Sequence, residues 1–353
     1  MMKKINKIVL AVGGTGGHII PALAARETFI HEDIEVLLLG KGLAHFLGDD
    51  SEVAYCDIPS GSPFSLRVNR MFSGAKQLYK GYVAALQKIR DFTPDLAIGF
   101  GSYHSLPAML ASIRSRIPLF LHEQNIVPGK VNKLFSRFAK GVGMSFAAAG
   151  EHFHCRAEEV FLPIRKLSEQ IVFPGASPVI CVVGGSQGAK ILNDVVPKAL
   201  ARIRESYSNL YVHHIVGPKG DLQAVSQVYQ DAGINHTVTA FDHNMLGVLQ
   251  ASDLVISRSG ATMLNELLWV QVPAILIPYP GAYGHQEVNA KFFTHTVGGG
   301  TMILQKYLTE ESLSKQVLLA LDPATSENRR KAMLSAQQKK SFKSLYQFIC
   351  ESL

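Results

Sequence analysis

The segment VGGTGGHIIPALA, from Val12 to Ala24, combines residues that could bind a ligand with one that could transfer a proton. Four glycines and one threonine follow an apolar run, and His18 comes directly after them. Glycine lets a ligand approach bare backbone, and the N-terminus of a following helix offers free N–H groups and a partial positive charge. Phosphate groups are the usual ligands of such a turn, so the segment predicts a phosphate site with a titratable side chain beside it.

The glycine spacing excludes two common nucleotide-binding motifs. In the dinucleotide pattern GxGxxG, a third glycine counted from Gly14 would fall at Ile19. The acidic residue expected at the end of the second strand is also missing, because that strand runs into LLLGKG. The P-loop pattern, GxxxxGK followed by Ser or Thr, does not occur. An NAD-dependent enzyme and a P-loop NTPase are therefore both poor fits.

Two further turns of this kind lie in the second half of the chain. VICVVGGSQGAKILNDVV repeats the order strand, glycine turn, helix, with Gly184 in the place of Gly13. In DLVISRSGATMLNELLW a diphosphate could sit at the helix start, with Glu266 two turns into the helix. A carboxylate there can accept hydrogen bonds from ribose hydroxyls; the alternative is a glutamate on a solvated helix face. Neutral groups suited to sugar hydroxyls share one face of the next helix: His285, Gln286 and Asn289.

Short β-branched runs alternate with longer amphipathic stretches along the chain. Several runs are apolar throughout, as strands covered by helices on both faces are. The alternation predicts βαβ units with parallel sheets, in two doubly wound α/β domains that join near residues 161–170. The predicted strands are Lys7–Val12, Glu35–Leu39, Asp95–Phe100, Pro118–His122, Gly141–Ser145, Val179–Val183, Leu210–Val216, His236–Phe241, Asp253–Ser257, Ala274–Pro278 and Thr301–Leu304.

Composition and charge limit the class of protein. The 353 residues are 47% hydrophobic and 18% charged, which permits two folded domains and argues against a disordered chain or a coiled coil. A net charge of +7 favours anionic partners such as nucleotides, pyrophosphates or an anionic membrane surface. No nucleic-acid recognition module is visible, so we expect no nucleic-acid partner.

Cysteine usage and the N-terminus bear on the compartment. The four cysteines lie far apart without a CxxC pair, which is typical of a reduced cytoplasmic protein without a zinc site. The start MMKKINKIVLAVGG imitates a signal peptide, but the glycine turn interrupts the apolar segment that one requires. No run of about 18 apolar residues occurs, so no membrane-spanning helix is predicted.

A basic segment from Ser62 to Arg90 contains six cationic residues and no acidic one, interleaved with aromatic and aliphatic side chains. Aromatic residues that dip into a membrane interface and cations that meet anionic lipid would produce this pattern. A helix with a solvated basic side would produce it equally well. The residues predicted to contact a membrane are Phe64, Arg70, Phe72, Lys76, Tyr79 and Lys80.

The segments GGTGGHIIPALA, HEQNIVPGKVNK, GGSQGAKILND, RSGATMLNE and HQEVNA together resemble the MurG family, peptidoglycan glycosyltransferases of family 28 that add N-acetylglucosamine to lipid I. The resemblance runs from about Lys7 to about Leu304, with the motifs in order. It implies a GT-B fold, two Rossmann-like domains facing a central cleft. Residues 1–163 would form the acceptor and membrane-facing domain, residues 164–340 the UDP-N-acetylglucosamine domain, and helix 341–353 would pack back on the first.

The resemblance also implies the reaction and the partners. The donor would be UDP-N-acetylglucosamine, the acceptor lipid I and the product lipid II, with inversion at the anomeric carbon and without a metal or other cofactor. The enzyme would be peripheral on the cytoplasmic face of the inner membrane, which favours the membrane interpretation of the basic segment. A UDP-N-acetylglucosamine 2-epimerase-like enzyme and a non-catalytic nucleotide-sugar or membrane scaffold are the alternatives.

The family's contacts carry over residue by residue. The implied donor contacts are Thr15, Gly16, Gly17, His18, Asn125, Arg165, Ser186, Asp242, Ser259, Gly260, Ala261, Glu266, Gln286 and Asn289, with the uracil near Phe241 and Asp242. The implied acceptor-diphosphate contacts are Gly14, Thr15, Gly99, Gly101, Ser102 and Tyr103. Three places depart from the pattern. Ser102 replaces a glycine, and the hydroxyl of Thr262 stands one position earlier than in many relatives. Phe161 and Leu162 precede Pro163 where relatives often have Gly-Asn.

His18 is the candidate general base. A sugar hydroxyl is a poor nucleophile until a base removes its proton, and histidine titrates near neutrality. His18 ends the first glycine turn, where it would face the cleft from the acceptor domain, opposite the donor loops. The alternative is that it only hydrogen-bonds a phosphate or caps the turn. Glu123 and His122, in LHEQN, are the reserve candidates.

Overall fold

The computed structural model describes residues 4–14, 16–47, 53–61, 68–161, 170–173, 175–281, 284–341 and 343–353, with 45–46 and 68–72 described by their backbone alone. The chain divides into two compact units, Met1–Pro163 with Ser341–Leu353, and Ile164–Lys340. Each unit is built on one parallel sheet. Among the described residues, no helix is both long and apolar enough to cross a membrane.

Seven strands form the sheet of the first unit: β1 (Lys7–Gly13), β2 (Glu35–Lys41), β3 (Tyr55–Asp57), β4 (Leu96–Gly99), β5 (Leu119–Glu123), β6 (Gly141–Met144) and β7 (Ala157–Glu159). Their order is β3-β2-β1-β4-β5-β6-β7. The order reverses between β1 and β4, and open α/β sheets bind ligands beyond the carboxyl ends of their strands at such a point. The helices that cover this sheet are α1 (Gly16–Ile30), α2 (Leu43–Leu47), α3 (Val68–Phe92), α4 (Leu106–Arg114) and α5 (Lys130–Phe135).

The second unit repeats this plan with six strands: β8 (Val179–Val183), β9 (Tyr211–Ile215), β10 (Asn235–Thr239), β11 (Leu254–Ser257), β12 (Ala274–Leu276) and β13 (Gly300–Met302). Their order is β10-β9-β8-β11-β12-β13, so the reversal lies between β8 and β11. The helices are α6 (Lys190–Ala201), α7 (Leu222–Asp231), α8 (Met245–Gln250), α9 (Ala261–Val270), α10 (His285–Lys291), α11 (Glu310–Leu321) and α12 (Pro323–Gln338).

The last helix, α13 (Leu345–Ser352), belongs to the first unit. Phe348 is fully buried and meets Phe120 of β5 edge to face, with the ring centroids 6.3 Å apart. A Cβ on Gly141 would lie 2.7 Å from the Phe348 ring, and one on Gly143 would lie 2.8 Å from Leu345. The two glycines of β6 therefore make room for the side chains of α13.

All eleven predicted strands are confirmed, with ends shifted by at most two residues. Several central strands are buried at every residue, as the two-sided helical cover predicts; β5 and β8 are examples. The sequence did not predict β3 and β7, each three residues long at an edge of the first sheet. They are only partly buried and contain no apolar run.

Candidate functional site

The turn after β1 requires glycine for two reasons. Gly13 has φ +150° and Gly14 has φ +99°, a region that side chains rarely adopt. A Cβ on Gly14 would also lie 2.8 Å from Cδ2 of His104 and 2.9 Å from Oγ of Ser102. The Gly14 amide donates to the Lys41 carbonyl at 3.1 Å. The turn after β1 therefore lies directly against the turn after β4, at the point where the strand order reverses.

His18 lies in the first turn of α1 and is half-buried. Its Nδ1 is 2.8 Å from the carbonyl oxygen of Phe100, which follows β4. A carbonyl can only accept, so in this contact Nδ1 carries the hydrogen and the neutral ring keeps its lone pair on Nε2. The hydrogen bond thus fixes the tautomer in which Nε2 can accept a proton.

The Phe100 carbonyl has a second donor, Nε2 of Gln124, at 3.3 Å. Gln124 is buried, and the same amide nitrogen is 3.1 Å from Nδ1 of His122. The sequence placed Gln124 inside the HEQN motif but gave it no role. Because the carbonyl is a backbone group, no residue type marks it in the sequence.

The reserve candidates for the base are both buried. Glu123 is 1% exposed, and its two oxygens accept from the amide and side chain of Asn125, the amide of Gly129 and the side chain of Asn132. These hydrogen bonds close the loop between β5 and α5. His122 is fully buried, and burial lowers its pKa to about 3. Both arrangements suit a structural role, whereas half-buried His18 can reach a ligand.

Three of the residues expected at the acceptor diphosphate follow β4: Gly101, Ser102 and Tyr103. Gly101 has φ +80° and Ser102 has φ +69°, so a serine occupies left-handed backbone where the family has glycine. The Ser102 hydroxyl accepts from the His104 amide at 3.3 Å, which helps to hold the turn. Gly99, the last residue of β4, is buried, and its missing side chain makes room for Met109 of α4. The structure gives Gly99 a packing role.

In the second unit, the turn between β11 and α9 offers an uncapped helix start. Gly260 is the N-cap residue and no side chain caps it, so the amides of the first turn, from Ala261 onward, have no side-chain acceptor at the cap. A Cβ on Gly260 would meet no atom within 4 Å, so the turn is open there. The buried hydroxyl of Thr262 has no hydrogen-bond partner among the described residues. Helix amides and a buried hydroxyl together form a suitable site for a phosphate.

The start of α10 is tied to this turn. The Ser259 hydroxyl donates to the Gln286 carbonyl at 2.7 Å, and the Asn289 side chain donates to the Ser259 carbonyl at 3.2 Å. Asn289 is fully buried, and Oε1 of Gln286 accepts from the Tyr279 amide at 2.9 Å. Gln286 and Asn289, which the sequence predicted to face the sugar, both lie at the turn before α9. There the Asn289 side chain stabilises the backbone of Ser259. His285, the first residue of α10, is half-buried.

The charged residues near this turn are both turned inward. The Arg258 guanidinium donates to the Ile277 carbonyl at 3.0 Å and to Oε1 of Gln305 at 2.7 Å, and burial lowers its pKa. Arg258 therefore braces the sheet edge rather than the turn. Glu266 is 4% exposed, which rules out the alternative of a solvated helix glutamate.

The residues expected near the nucleobase follow β10. The carboxylate of Asp242 accepts from Nε2 of His213 at 2.9 Å and from the Asn244 amide at 2.8 Å. Burial lowers the pKa of His213, although Asp242 opposes this shift. The Asp242 side chain is thus engaged within the unit, which leaves its backbone for a ligand. Phe241 is 52% exposed, and Ser186, in the turn after β8, is half-buried.

Some predicted site residues lie outside the described part of the chain: Thr15, Arg165 and Phe64, together with the side chains of Arg70 and Phe72. Gly16 and Gly17 begin α1. On α3 the side chains of Lys76, Tyr79 and Lys80 are exposed, Tyr79 to 68%. Within the described ranges, no three His, Cys, Asp or Glu residues cluster in a way that could hold a metal ion.

Comparison with known proteins agrees with this geometry. The family model described as glycosyltransferase family 28 N-terminal domain matches residues 8–144, and that of the C-terminal domain matches residues 179–347. A Chlamydia muridarum protein, named UDP-N-acetylglucosamine–N-acetylmuramyl-(pentapeptide) pyrophosphoryl-undecaprenol N-acetylglucosamine transferase, is 82% identical, with 100% of both chains covered. The Chlamydia felis protein of the same name is 57% identical over 100% of both chains.

A solved structure supports the same assignment. The crystal structure of Acinetobacter baumannii MurG superposes with a TM-score of 0.73 at 26% identity, covering 98% of each chain. The likeness extends over both parallel-sheet units, which confirms the predicted GT-B fold. The chain belongs to the MurG family of N-acetylglucosamine transferases, within glycosyltransferase family 28.

Proposed function

We propose that the chain transfers N-acetylglucosamine from UDP-N-acetylglucosamine to the C4 hydroxyl of the N-acetylmuramoyl unit of lipid I, giving lipid II with inversion at the anomeric carbon. The name shared by its curated relatives supports the donor and the acceptor. The observation that carries the mechanism is the hydrogen bond of 2.8 Å between Nδ1 of His18 and the Phe100 carbonyl. It leaves Nε2 as the nitrogen of the neutral ring that can act as a base.

In the proposed step, Nε2 of His18 takes the proton of the C4 hydroxyl as its oxygen attacks the anomeric carbon of the donor. The bond from that carbon to the diphosphate oxygen breaks with its electron pair, so UDP leaves and the configuration inverts. The Phe100 carbonyl accepts from Nδ1 throughout, which stabilises the imidazolium that forms. Gln124 holds the same carbonyl and is therefore a positioning residue.

The second unit supplies the site for the leaving diphosphate. Free amides at the start of α9 and the partial positive charge of the helix favour the developing negative charge. The buried Thr262 hydroxyl is a further donor in the same turn. Because Arg258 donates to Ile277 and Gln305, the groups that would stabilise the leaving diphosphate in the described part of the turn are neutral donors. Buried Glu266 would then accept from the ribose hydroxyls.

In this proposal, the first unit contacts the membrane through helix α3. Lys76, Lys80 and Tyr79 are exposed on it, and an aromatic ring flanked by cations suits an anionic lipid interface. Because the acceptor carries a polyprenyl chain, contact with the membrane would bring the first unit to its substrate. We place this contact on the cytoplasmic face of the membrane, where the nucleotide-sugar donor is available.

The deciding experiment combines the purified chain with radiolabelled UDP-N-acetylglucosamine and a short-chain lipid I analogue. We expect a labelled disaccharide with a β linkage, read from the anomeric proton coupling by NMR. A reaction without acceptor serves as the control. Formation of UDP-N-acetylmannosamine in that control, without disaccharide in the full reaction, would establish the epimerase alternative. Donor binding without any turnover would establish the scaffold.

A further inference from the structure

We propose that Lys41, Ser60 and His104 form an anion-binding cluster beside the first glycine turn, and that this cluster holds the diphosphate of the acceptor more tightly as the pH falls. The identity of the anion rests on the proposed function. None of the three residues belongs to the motifs that identify the family.

Hydrogen bonds connect the three residues across the sheet. The Lys41 ammonium, at the end of β2, donates to the Ser60 carbonyl at 3.0 Å. The Ser60 hydroxyl is 2.5 Å from Nδ1 of His104, in the turn after β4. Ser60 itself is fully buried, so it links the lysine and the histidine through one fixed residue. The end of β2 and two loops thus bring their polar groups to the same end of the sheet.

The cluster is next to the turn where we expect the phosphate. The Gly14 amide donates to the Lys41 carbonyl. A Cβ built on Gly14 would lie 2.8 Å from Cδ2 of His104 and 3.7 Å from its Nε2. The edge of the imidazole that carries Nε2 therefore faces the Gly14 backbone. An anion bound by this turn and the α1 amides would lie beside both Nε2 and the lysine.

When the Ser60 hydroxyl donates to Nδ1 of His104, Nε2 is a donor in both charge states of the ring. A hydroxyl can donate to Nδ1 of a neutral ring or accept from Nδ1 of a protonated ring. In the neutral ring whose Nδ1 accepts, the hydrogen sits on Nε2, and in the protonated ring both nitrogens carry one. In this arrangement His104 donates one hydrogen bond to an anion in either charge state, and protonation adds a positive charge.

The charges around His104 explain the pH dependence. Burial, then Lys41, then neighbouring His18 lower the pKa of His104, so without an anion the ring is neutral at pH 7. The carboxylate of Asp57, on β3, is engaged by the amides of Leu43 and Ala44 at the start of α2. A bound diphosphate would offset the cationic neighbours and raise the pKa. By linkage, the protonated ring then binds the anion more tightly, and the gain is lost as the pH rises.

The acceptor diphosphate suits this cluster better than that of the donor. The open start of α9, in the second unit, already offers a site for the donor. A diphosphate linked at both ends keeps its charge across the range in which a histidine titrates, so a change of affinity with pH reports the protein. The cluster would thus tune acceptor binding without touching donor binding.

Steady-state kinetics of His104→Gln test the proposal, because glutamine keeps a donor but cannot become charged. At pH 6 we expect the acceptor KM to rise about tenfold, the size of one charge-assisted hydrogen bond. The difference in acceptor KM between the variant and the unaltered chain should become smaller toward pH 8. The donor KM of the variant should stay within about twofold of that of the unaltered chain. His31→Gln, at the exposed end of α1, is the matched control. Equal acceptor KM values and equal pH profiles for the two variants would overturn the proposal.

A second measurement needs neither a variant nor turnover. The imidazole resonances of the unaltered chain are titrated by NMR with and without a dialkyl diphosphate, and His104→Gln assigns the His104 signal. We expect the pKa of His104 to rise by about one unit when the diphosphate binds. An unchanged titration in saturating diphosphate would refute the cluster as an anion site. If neither the unaltered chain nor any variant forms disaccharide, the proposed function is refuted instead. The NMR titration would still show whether the cluster binds the anion.

Discussion

In the first unit the turn after β1 is surrounded by titratable side chains, whereas in the second unit the turn after β11 is held by hydroxyls, amides and backbone. His18 and His104 face the first turn, with Lys41 beside it. At the second turn the available cation, Arg258, donates to Ile277 and Gln305 instead. Both turns lie where the strand order of a parallel sheet reverses.

The difference shows how one topology serves two tasks. A parallel sheet with a glycine turn before a helix provides an anion site in either unit, because helix amides and bare backbone are common to both. Proton transfer needs a side chain that titrates, and among the described residues of the two turns His18 is the one held in a defined tautomer. We therefore propose that the first unit supplies the catalytic base and that the second binds the donor, and substitutions should separate the two roles.

The largest expected effect comes from the first unit. His18→Ala should lower kcat at least about a hundredfold, since general-base catalysis is worth roughly 10²–10⁴ in rate. The donor Kd should stay nearly unchanged, and the fall of kcat toward acid pH should disappear because no base remains to be protonated. Rapid-quench turnover across pH and calorimetric donor binding measure this, with His31→Ala as the control. Loss of donor affinity with turnover retained would make His18 a binding residue.

The corresponding change in the second unit should affect binding instead. Glu266→Ala should raise the donor KM roughly ten- to a hundredfold, the loss expected for hydrogen bonds to a charged acceptor, and lower kcat much less. Steady-state kinetics at saturating acceptor measure it. Glu327→Ala, an exposed glutamate on α12, removes the same charge from the same unit. A donor KM equal to that of the control would exclude Glu266 from the ribose site.

The comparison extends to the membrane, which only the first unit should contact. Replacing Lys76, Tyr79 and Lys80 by serine should weaken association with anionic vesicles at least about thirtyfold, since each of the two cations contributes roughly 1 kcal/mol near the surface. Donor binding should be unchanged. Replacing Lys306, Tyr307 and Lys315 by serine removes equivalent exposed groups from the second unit as a control. Equal losses in both triple variants would argue for general charge rather than a face on α3.

The smallest expected effect is that of a chelator. The sequence has no Asp-x-Asp motif, and helix amides can offset the charge of the leaving diphosphate. Activity in excess EDTA should therefore equal activity without it. A loss that magnesium or manganese restores would show that the second turn needs a cation after all.

Local patterns in the sequence predicted the elements and the turns, because apolar runs and glycine turns depend on neighbouring residues. They could not predict the contact of His18 with Phe100, since this depends on the pairing of β1 with β4 far apart in the chain. Nor could they give the burial of Asn289: helical spacing put it on one face with His285 and Gln286, and the structure shows that its side chain is buried and donates to the Ser259 carbonyl. Helical periodicity predicts which face of a helix a side chain lies on. How deeply the side chain is buried depends on the packing of other elements against that face.

The return of α13 has a consequence for how the chain is made. The core of the first unit includes Leu345, Phe348 and Ile349, all buried, although every other part of that unit precedes residue 164. During synthesis, the first sheet emerges from the ribosome long before these side chains exist. Until α13 has been synthesised, the hollow over Gly141 and Gly143 stays uncovered, so the first unit completes its core only after the second has been synthesised. A premature stop near residue 344 would thus damage the N-terminal unit while sparing the sequence of both turns.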